Sequence, residues 1–125
     1  MIERMMTSIK FVGVPVADQD RALRYYTEVL GFSVETDQPM GGTQRWIELC
    51  LGKSDTGLVL FTPPGHEDRV GTFQNFSILC DDVERTYVEL SARGAIFERP
   101  PQEESWGTSA ILKDSEGNSF VLSSR

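Results

Sequence analysis

The sequence is poor in the residues on which many enzymes depend. Its 125 residues include one histidine, His66, and two cysteines, Cys50 and Cys80. A Ser-His-Asp or Cys-His arrangement needs a histidine beside the nucleophile, and His66 lies in a polar, turn-rich stretch. The cysteines lie in strand-like runs without a CxxC motif, which favours reduced, half-buried thiols over a disulfide or a metal pair. We therefore expect neither a histidine-activated nucleophile nor a thiolate metal site.

Long apolar runs, basic clusters and phosphate-binding loops are also missing. No apolar run approaches the roughly 20 residues of a membrane span, and residues 1–7 lack the apolar core of a secretory signal. The net charge of −7 disfavours nucleic acids and anionic membranes as partners, because like charges repel. The glycines at 41–42 lack the surrounding pattern of a phosphate loop. We expect a cytoplasmic protein that binds neither nucleic acid nor membranes.

What the sequence does contain is one structural unit that occurs twice. In the first copy an apolar, extended run ends at Asp18, a helical stretch follows, and Gly31 closes it. In the second copy the corresponding positions are Asp81 and Gly94, each 63 residues further along the chain. Such self-similarity indicates two copies of one supersecondary unit.

Each copy is predicted to have the element order β-α-β-β-β. The predicted strands are 9–16, 32–36, 44–51 and 58–62 in the first copy, and 72–80, 95–98, 108–112 and 119–123 in the second. Asp18 caps the first helix, and Asp81 or Asp82 caps the second. Segments 37–43 and 99–107 are expected to be loops. Because one helix leaves a sheet face uncovered, two modules, at about 8–64 and 70–125, must pack together, within or between chains.

The alternation in strand 44–51 distinguishes the two faces of the first sheet. Ile47 and Leu49 lie on a mostly apolar face, which should pack on the helices, whereas Trp46 and Glu48 lie on the opposite face. We expect the faces turned away from the helices to form a trough.

The motifs of this chain resemble those of the vicinal oxygen chelate superfamily, which includes glyoxalase I, extradiol dioxygenases and bleomycin-resistance proteins. The resemblance covers nearly the whole chain. It is carried by residues 14–18, 25–32, 80–82 and 114–118 (VPVAD, YYTEVLGF, CDD and DSEGN). It implies a single α+β domain of two tandem βαβββ modules, which form a curved mixed sheet around a cavity. It also implies a homodimer, often with modules paired across subunits. This fold supports lyases, oxygenases, transferases and simple binders, so the chemistry has to be argued from the site.

Enzymes of this family usually hold a divalent metal with histidine, glutamine and glutamate side chains. The equivalent positions in this chain are Phe11, Asn75 (or Gln74), Val121 and the end of strand 58–62, which has no carboxylate. Phenyl and isopropyl groups cannot bind a metal, and an isolated amide binds one weakly. We therefore expect no metal, no cofactor, and neither a metal-dependent glyoxalase nor a metal-dependent dioxygenase.

The trough is predicted to bind a small organic molecule on aromatic side chains. Its predicted lining residues are Phe11, Trp46, Glu48, Asn75, Ser77, Trp106 and Val121. An acidic protein of this kind would favour a cationic, aromatic ligand. As an alternative, a lyase, isomerase or hydrolase could use Glu48 as its base if Trp46 encloses that carboxylate, or could hold a metal at a non-standard site. A third possibility is an interaction protein whose trough has closed, with the aromatic residues buried in a core or a dimer interface.

Overall fold

The computed structural model describes residues 3–125 and contains two four-stranded sheets. The first sheet has the strand order β1-β4-β3-β2, with β1 at Phe11–Pro15, β2 at Ser33–Pro39, β3 at Arg45–Cys50 and β4 at Gly57–Phe61. The second has the order β5-β8-β7-β6, with β5 at Phe73–Leu79, β6 at Ile96–Glu104, β7 at Gly107–Lys113 and β8 at Ser119–Ser123. In both sheets the first two strands of that order are parallel and the other pairs antiparallel. The predicted α+β duplication is confirmed.

Each module contributes one main helix, and the capping residues explain where each helix begins and ends. Helix α1 spans Gln19–Arg24 and continues as a π-helical segment, Tyr25–Val29, while α2 spans Val83–Ala92. The carboxylates of Asp18 and Asp82 each accept the first-turn N–H three residues on, at 3.0 Å. Asp82, not Asp81, is therefore the second cap. After the helices, Gly31 and Gly94 have φ angles of +87° and +100°, as predicted for helix-ending glycines.

Two segments predicted to be loops are partly strand. Strand β2 continues to Pro39, which pairs with Arg45 of β3, so the 37–43 loop is shorter than expected. Strand β6 continues through two prolines to Glu104, where the 99–107 loop was expected. Proline is tolerated because β6 is an edge strand, and the pairing with β7 is irregular between Arg99 and Gln102. Trp106 consequently lies in a tight turn between β6 and β7.

The two modules share one hydrophobic core between their helix-bearing faces. Tyr26 of the π-helical segment is fully buried and stacks on Phe120 of β8 with ring centroids 6.4 Å apart. Phe76 of β5 also stacks on Phe120, with ring centroids 5.0 Å apart. The core also includes Val14, Ile47, Leu49, Leu60, Leu90, Leu112 and Leu122. The opposite faces of both sheets, which we call the free faces, are therefore turned away from the core.

A polar junction at the β7–β8 turn holds the modules together. The Tyr26 hydroxyl donates to Asp114 Oδ2 at 2.7 Å, and the Asn118 amide donates to the Pro15 carbonyl at 2.8 Å. The Glu116 carboxylate accepts the backbone N–H groups of Ala17 and Asp18 at 3.0 and 3.1 Å. This turn of the second module thus fixes the beginning of α1. No helix within residues 3–125 has the length and hydrophobicity needed to cross a membrane.

Candidate binding site

The free face of the first sheet is defined by the strand register. Phe11 of β1 is paired with Gly57 of β4, Gly13 with Val59, and Glu48 of β3 also with Val59. These side-chain positions lie on one face of the sheet, since paired residues project to the same side. The alternation predicted for β3 is confirmed, because Ile47 and Leu49 are fully buried in the core while their neighbours Trp46 and Glu48 are half-buried on the free face.

This face carries a cavity of about 440 Å³, which we call the aromatic cleft. Its walls include Phe11, Gly13, Met40, Trp46, Val59 and Phe61. Phe11 and Trp46 meet edge to face, with ring centroids 5.3 Å apart and an interplanar angle of 81°. Edge-to-face packing holds both rings in place. The volume lies in the range of small-molecule sites.

Gly13 determines the shape of this cleft. A β-carbon at position 13 would lie 3.0 Å from an atom of the Phe61 ring. The glycine therefore lets that ring lie against β1 instead of projecting into the cavity. Neither Gly13 nor Phe61 was identified as a site residue from the sequence. Gly13 lies two residues from Phe11 in the same predicted strand, and this spacing is the signal that could have found it.

Glu48 lies beside Trp46 at the border of the aromatic cleft. The Trp46 indole N–H donates to Glu48 Oε1 at 3.4 Å. The side chain covers Gly57, where an added β-carbon would lie 2.7 Å from Glu48 Oε2. Within residues 3–125 no arginine, lysine or histidine nitrogen forms a salt bridge with Glu48. This carboxylate is thus held in place but is not neutralised by the described part of the chain.

The remaining predicted site residues lie on the second sheet or at its end. Asn75 and Ser77 are exposed on the free face of β5, and Ser77 is paired with Val121 of β8. Ser77 Oγ lies 2.6 Å from Ser123 Oγ. Trp106, at 56% exposure, occupies the β6–β7 turn. None of these four predicted residues lines the aromatic cleft, and neither does Glu48. The structure places Phe11 and Trp46 in the wall of the cleft and Glu48 beside Trp46.

The positions equivalent to the family's metal ligands do not provide a metal site. Phe11 and Val121 offer no donor atom, and Asn75 is a single amide. Gln74 points to the buried side, where its amide donates to the Thr72 carbonyl at 3.0 Å. Across residues 3–125 no three histidine, cysteine or acidic side chains are grouped as metal ligands would be. The side chains present therefore do not fit the family's metal.

Neither cysteine resembles an activated nucleophile. Both are free thiols. Loss of water contact and the carboxylate of Glu35 raise the pKa of the Cys50 thiol, and burial raises the pKa of Cys80. A raised pKa lowers the population of the reactive thiolate.

A second, polar cavity of about 490 Å³ adjoins the aromatic cleft and includes Asp18, Asp20, Arg45 and Glu67 in its walls. The hydrogen bonds that Arg45 donates to the carboxylates of Asp37 and Asp20 raise the pKa of its guanidinium. Its guanidinium is therefore already paired with carboxylates of its own chain.

Comparisons with known proteins agree with this fold. The model of the Glyoxalase/Bleomycin resistance protein/Dioxygenase superfamily matches residues 8–122. The protein YetH of Bacillus subtilis (strain 168), described only as uncharacterized, is 31% identical over 118 residues, which is 94% of this chain and 98% of YetH.

Two solved structures are similar over almost the full length. TnmS3, an antibiotic binding protein from Streptomyces sp. CB03234, is 29% identical with a TM-score of 0.85, and the match covers 98% of each chain. A superfamily member from Sphaerobacter thermophilus DSM 20745 is 26% identical with a TM-score of 0.88, covering 98% of this chain and 100% of the other. The duplicated modules, the motifs that match and the extent of these similarities lead to one conclusion: the chain belongs to the glyoxalase/bleomycin resistance protein/dioxygenase superfamily.

Proposed function

We propose that this protein binds a small, flat aromatic molecule in the aromatic cleft, without a metal, and sequesters it unchanged. The observation that carries the proposal is the edge-to-face pair of Phe11 and Trp46 in the wall of an apolar cavity. Rings held in this way offer flat, apolar surface against which a ligand can stack. The similarity to TnmS3, an antibiotic binding protein, supports the same class of function.

A second copy of the chain would complete the site. Among residues 3–125, strand β1 pairs only with β4, and β5 only with β8, so each has one open edge in this part of the chain. Neither strand contains a charged residue, although open edges are commonly protected by charge. Phe73 and Leu79 are 49% and 53% exposed on β5. We expect a homodimer in which β1 of one copy adjoins β5 of the other, so that Asn75 and Ser77 face the aromatic cleft.

A matched pair of tryptophan variants tests the binding proposal. Acridine serves as a neutral, flat aromatic probe, and isothermal titration calorimetry in the presence of EDTA measures its affinity. Trp46→Leu keeps an apolar side chain but removes the stacking surface, and we expect it to weaken binding by about tenfold or more. Trp106→Leu, at the exposed turn, should bind as the unmodified protein does. Equal loss in both variants, or binding that EDTA abolishes, would contradict the proposal.

The unneutralised carboxylate of Glu48 favours one alternative, a lyase or isomerase that uses it as a base. The two functions differ in what happens to a bound ligand. Sequestration predicts that a ligand recovered after long incubation with the protein is chemically unchanged. A product that forms with the unmodified protein but not with Glu48→Gln would favour the enzyme.

A further inference from the structure

We infer that the aromatic cleft selects ligands that carry a positive charge beside their flat ring, with Glu48 as the counter-ion. This inference rests on the proposed function, because it assigns a ligand class to the same site. It concerns the charge of the ligand, whereas the proposed function concerns the flat ring alone.

The two oxygens of the Glu48 carboxylate have different surroundings. One oxygen, Oε1, accepts the indole N–H of Trp46 at 3.4 Å. No hydrogen-bond donor of residues 3–125 reaches the other oxygen, Oε2. The residue as a whole is half-buried. A group bound in the cleft can therefore supply the donor that the protein does not.

Gly57 provides the space in which the carboxylate is held. A β-carbon there would lie 2.7 Å from Oε2 and 3.1 Å from Cγ of Glu48. Any other residue at position 57 would displace the carboxylate from the sheet. The φ angle of Gly57 is not in the left-handed region, so the backbone itself would accept alanine. The conformation of Glu48 thus depends on the missing side chain at position 57, two residues from its paired residue Val59 on β4.

The charges near the cleft favour a cation over the alternatives. Arg45 also lines the cleft, but its guanidinium is already paired with Asp20 and Asp37. An anionic ligand would be repelled by Glu48, and a neutral ring would remove water from the carboxylate without replacing it. A protonated amine or amidine on the ring would pair with Oε2 through a charge-assisted hydrogen bond. The same cation would be attracted to the face of Trp46. The cleft therefore matches a flat heteroaromatic cation.

Three probes of nearly equal shape test this inference. 9-Aminoacridine is a cation at neutral pH, acridine is neutral slightly above neutral pH, and anthracene-9-carboxylate is an anion. Calorimetry should rank their affinities for the unmodified protein in that order, with the cation preferred over acridine by about tenfold, as expected for a charge-assisted contact. The preference should decrease with added salt, since screening weakens ion pairing.

Variants assign the preference to Glu48. Glu48→Gln should remove the preference for 9-aminoacridine over acridine, and Gly57→Ala should reduce that preference by displacing the carboxylate. Glu98→Gln changes the net charge equally but is exposed on β6 of the other module, and should retain the preference. This control separates a local contact from the general attraction of an acidic protein.

The outcomes distinguish the inference from the function on which it rests. If acridine and 9-aminoacridine bind the unmodified protein equally, or if Glu48→Gln keeps the preference, the cation inference is wrong and the binding function stands. If none of the three probes binds, both are wrong. The comparison of probes on the unmodified protein decides the matter even if a variant fails to fold.

Discussion

At the scale of single residues, the site depends on two glycines as much as on its aromatic rings. Gly13 and Gly57 lie on adjacent strands of one sheet, and each leaves space for a larger side chain, Phe61 in one case and Glu48 in the other. Glycine usually weakens a strand. Its presence at both positions is explained by the close approach of these side chains.

Substitution of Gly13 tests how the cleft obtains its shape. In Gly13→Ala the new β-carbon, 3.0 Å from the Phe61 ring, should move that ring into the cavity. We expect acridine affinity to fall about threefold to tenfold, with a change in the free energy of unfolding of less than about 1 kcal/mol. Calorimetry and thermal unfolding measure the two effects.

A second substitution distinguishes this steric effect from a general disturbance. Phe61→Leu shortens the displaced side chain, so Gly13→Ala/Phe61→Leu should lose less affinity than the two single changes predict together. Residues in contact show such coupling. Simple additivity would show that Gly13 does not act through Phe61.

At the scale of elements, the β7–β8 turn is the contact that orients helix α1. Glu116 has a fully buried side chain, and Arg21 donates to both its oxygens, at 2.8 and 3.0 Å. Burial alone would raise the pKa of Glu116, but its bonds with Arg21 and with the backbone of Asp18 and Ala17 lower it below the usual value. The ionised carboxylate is thus the form that this junction stabilises.

Removal of this charge should destabilise the fold. We expect Glu116→Gln to lower the free energy of unfolding at neutral pH by about 1–3 kcal/mol, because Arg21 and the N–H groups of Ala17 and Asp18 lose a charged acceptor. Chemical denaturation measures the difference. Glu89→Gln breaks an exposed pair with Arg85 and should cost less than about 0.5 kcal/mol. A larger loss at Glu89 than at Glu116 would contradict this account of the junction.

The same junction predicts a pH dependence. Because the folded-state pKa of Glu116 lies below the unfolded value, its stabilisation is complete above the ordinary glutamate pKa and is lost as pH falls through the lowered one. The stability difference between the unmodified protein and Glu116→Gln should therefore shrink in acid. A difference that is constant from neutral to acid pH would argue against an ionic role.

The neighbouring Asp114 should show the opposite behaviour. Burial raises its pKa, while hydrogen bonds from Tyr26 and Asn118 act to lower it. A raised pKa means that stability is greatest below the unfolded pKa and is lost as pH rises through the folded one. Tyr26→Phe removes one donor to the ionised form, so it should destabilise by about 1–2 kcal/mol, more at neutral than at acid pH. Denaturation at both pH values would show whether the loss has this sign.

The elements also show what the sequence could and could not predict. Asp18 and Gly31 mark the ends of a helix by their local chemistry, and the alternation of Ile47 and Leu49 marks a buried strand face. The helix ends and the buried face could therefore be predicted from the sequence. The continuation of β6 through two prolines was not, because proline in a sequence normally indicates a loop and only the edge position permits it here. The π-helical turn at Tyr25–Val29 could not be predicted either, because it is accompanied by long-range contacts. Its two tyrosine hydroxyls donate to Lys113 and Asp114 of the other module.

At the scale of the whole molecule, the arrangement of the modules decides which site residues can meet. Alternation correctly assigned Trp46 to the free face of its own sheet. It could not tell that the two modules pack through their helix-bearing faces, which leaves Asn75 and Ser77 on a different sheet from the aromatic cleft. The site grouping therefore depends on long-range packing, and its completion is a property of the proposed dimer.

A charge placed on the open edge tests that dimer. Leu79, 53% exposed on β5, becomes buried in the proposed interface, so Leu79→Lys should convert a dimer into a folded monomer. Val88→Lys changes an equally apolar residue, 64% exposed on α2, and should remain dimeric. Sedimentation velocity measures the mass, and circular dichroism verifies the fold. A monomeric unmodified protein would refute the dimer directly.

The central claim is that the aromatic cleft receives a flat ligand against Trp46 without a metal. Two-dimensional NMR of the two tryptophan indole N–H groups, with acridine added in the presence of EDTA, tests it most directly. Trp106→Leu assigns the two signals. We predict that the Trp46 signal shifts in a saturable way and that the Trp106 signal does not. A shift of Trp106 alone, or no shift of Trp46 at saturating probe, would contradict the account.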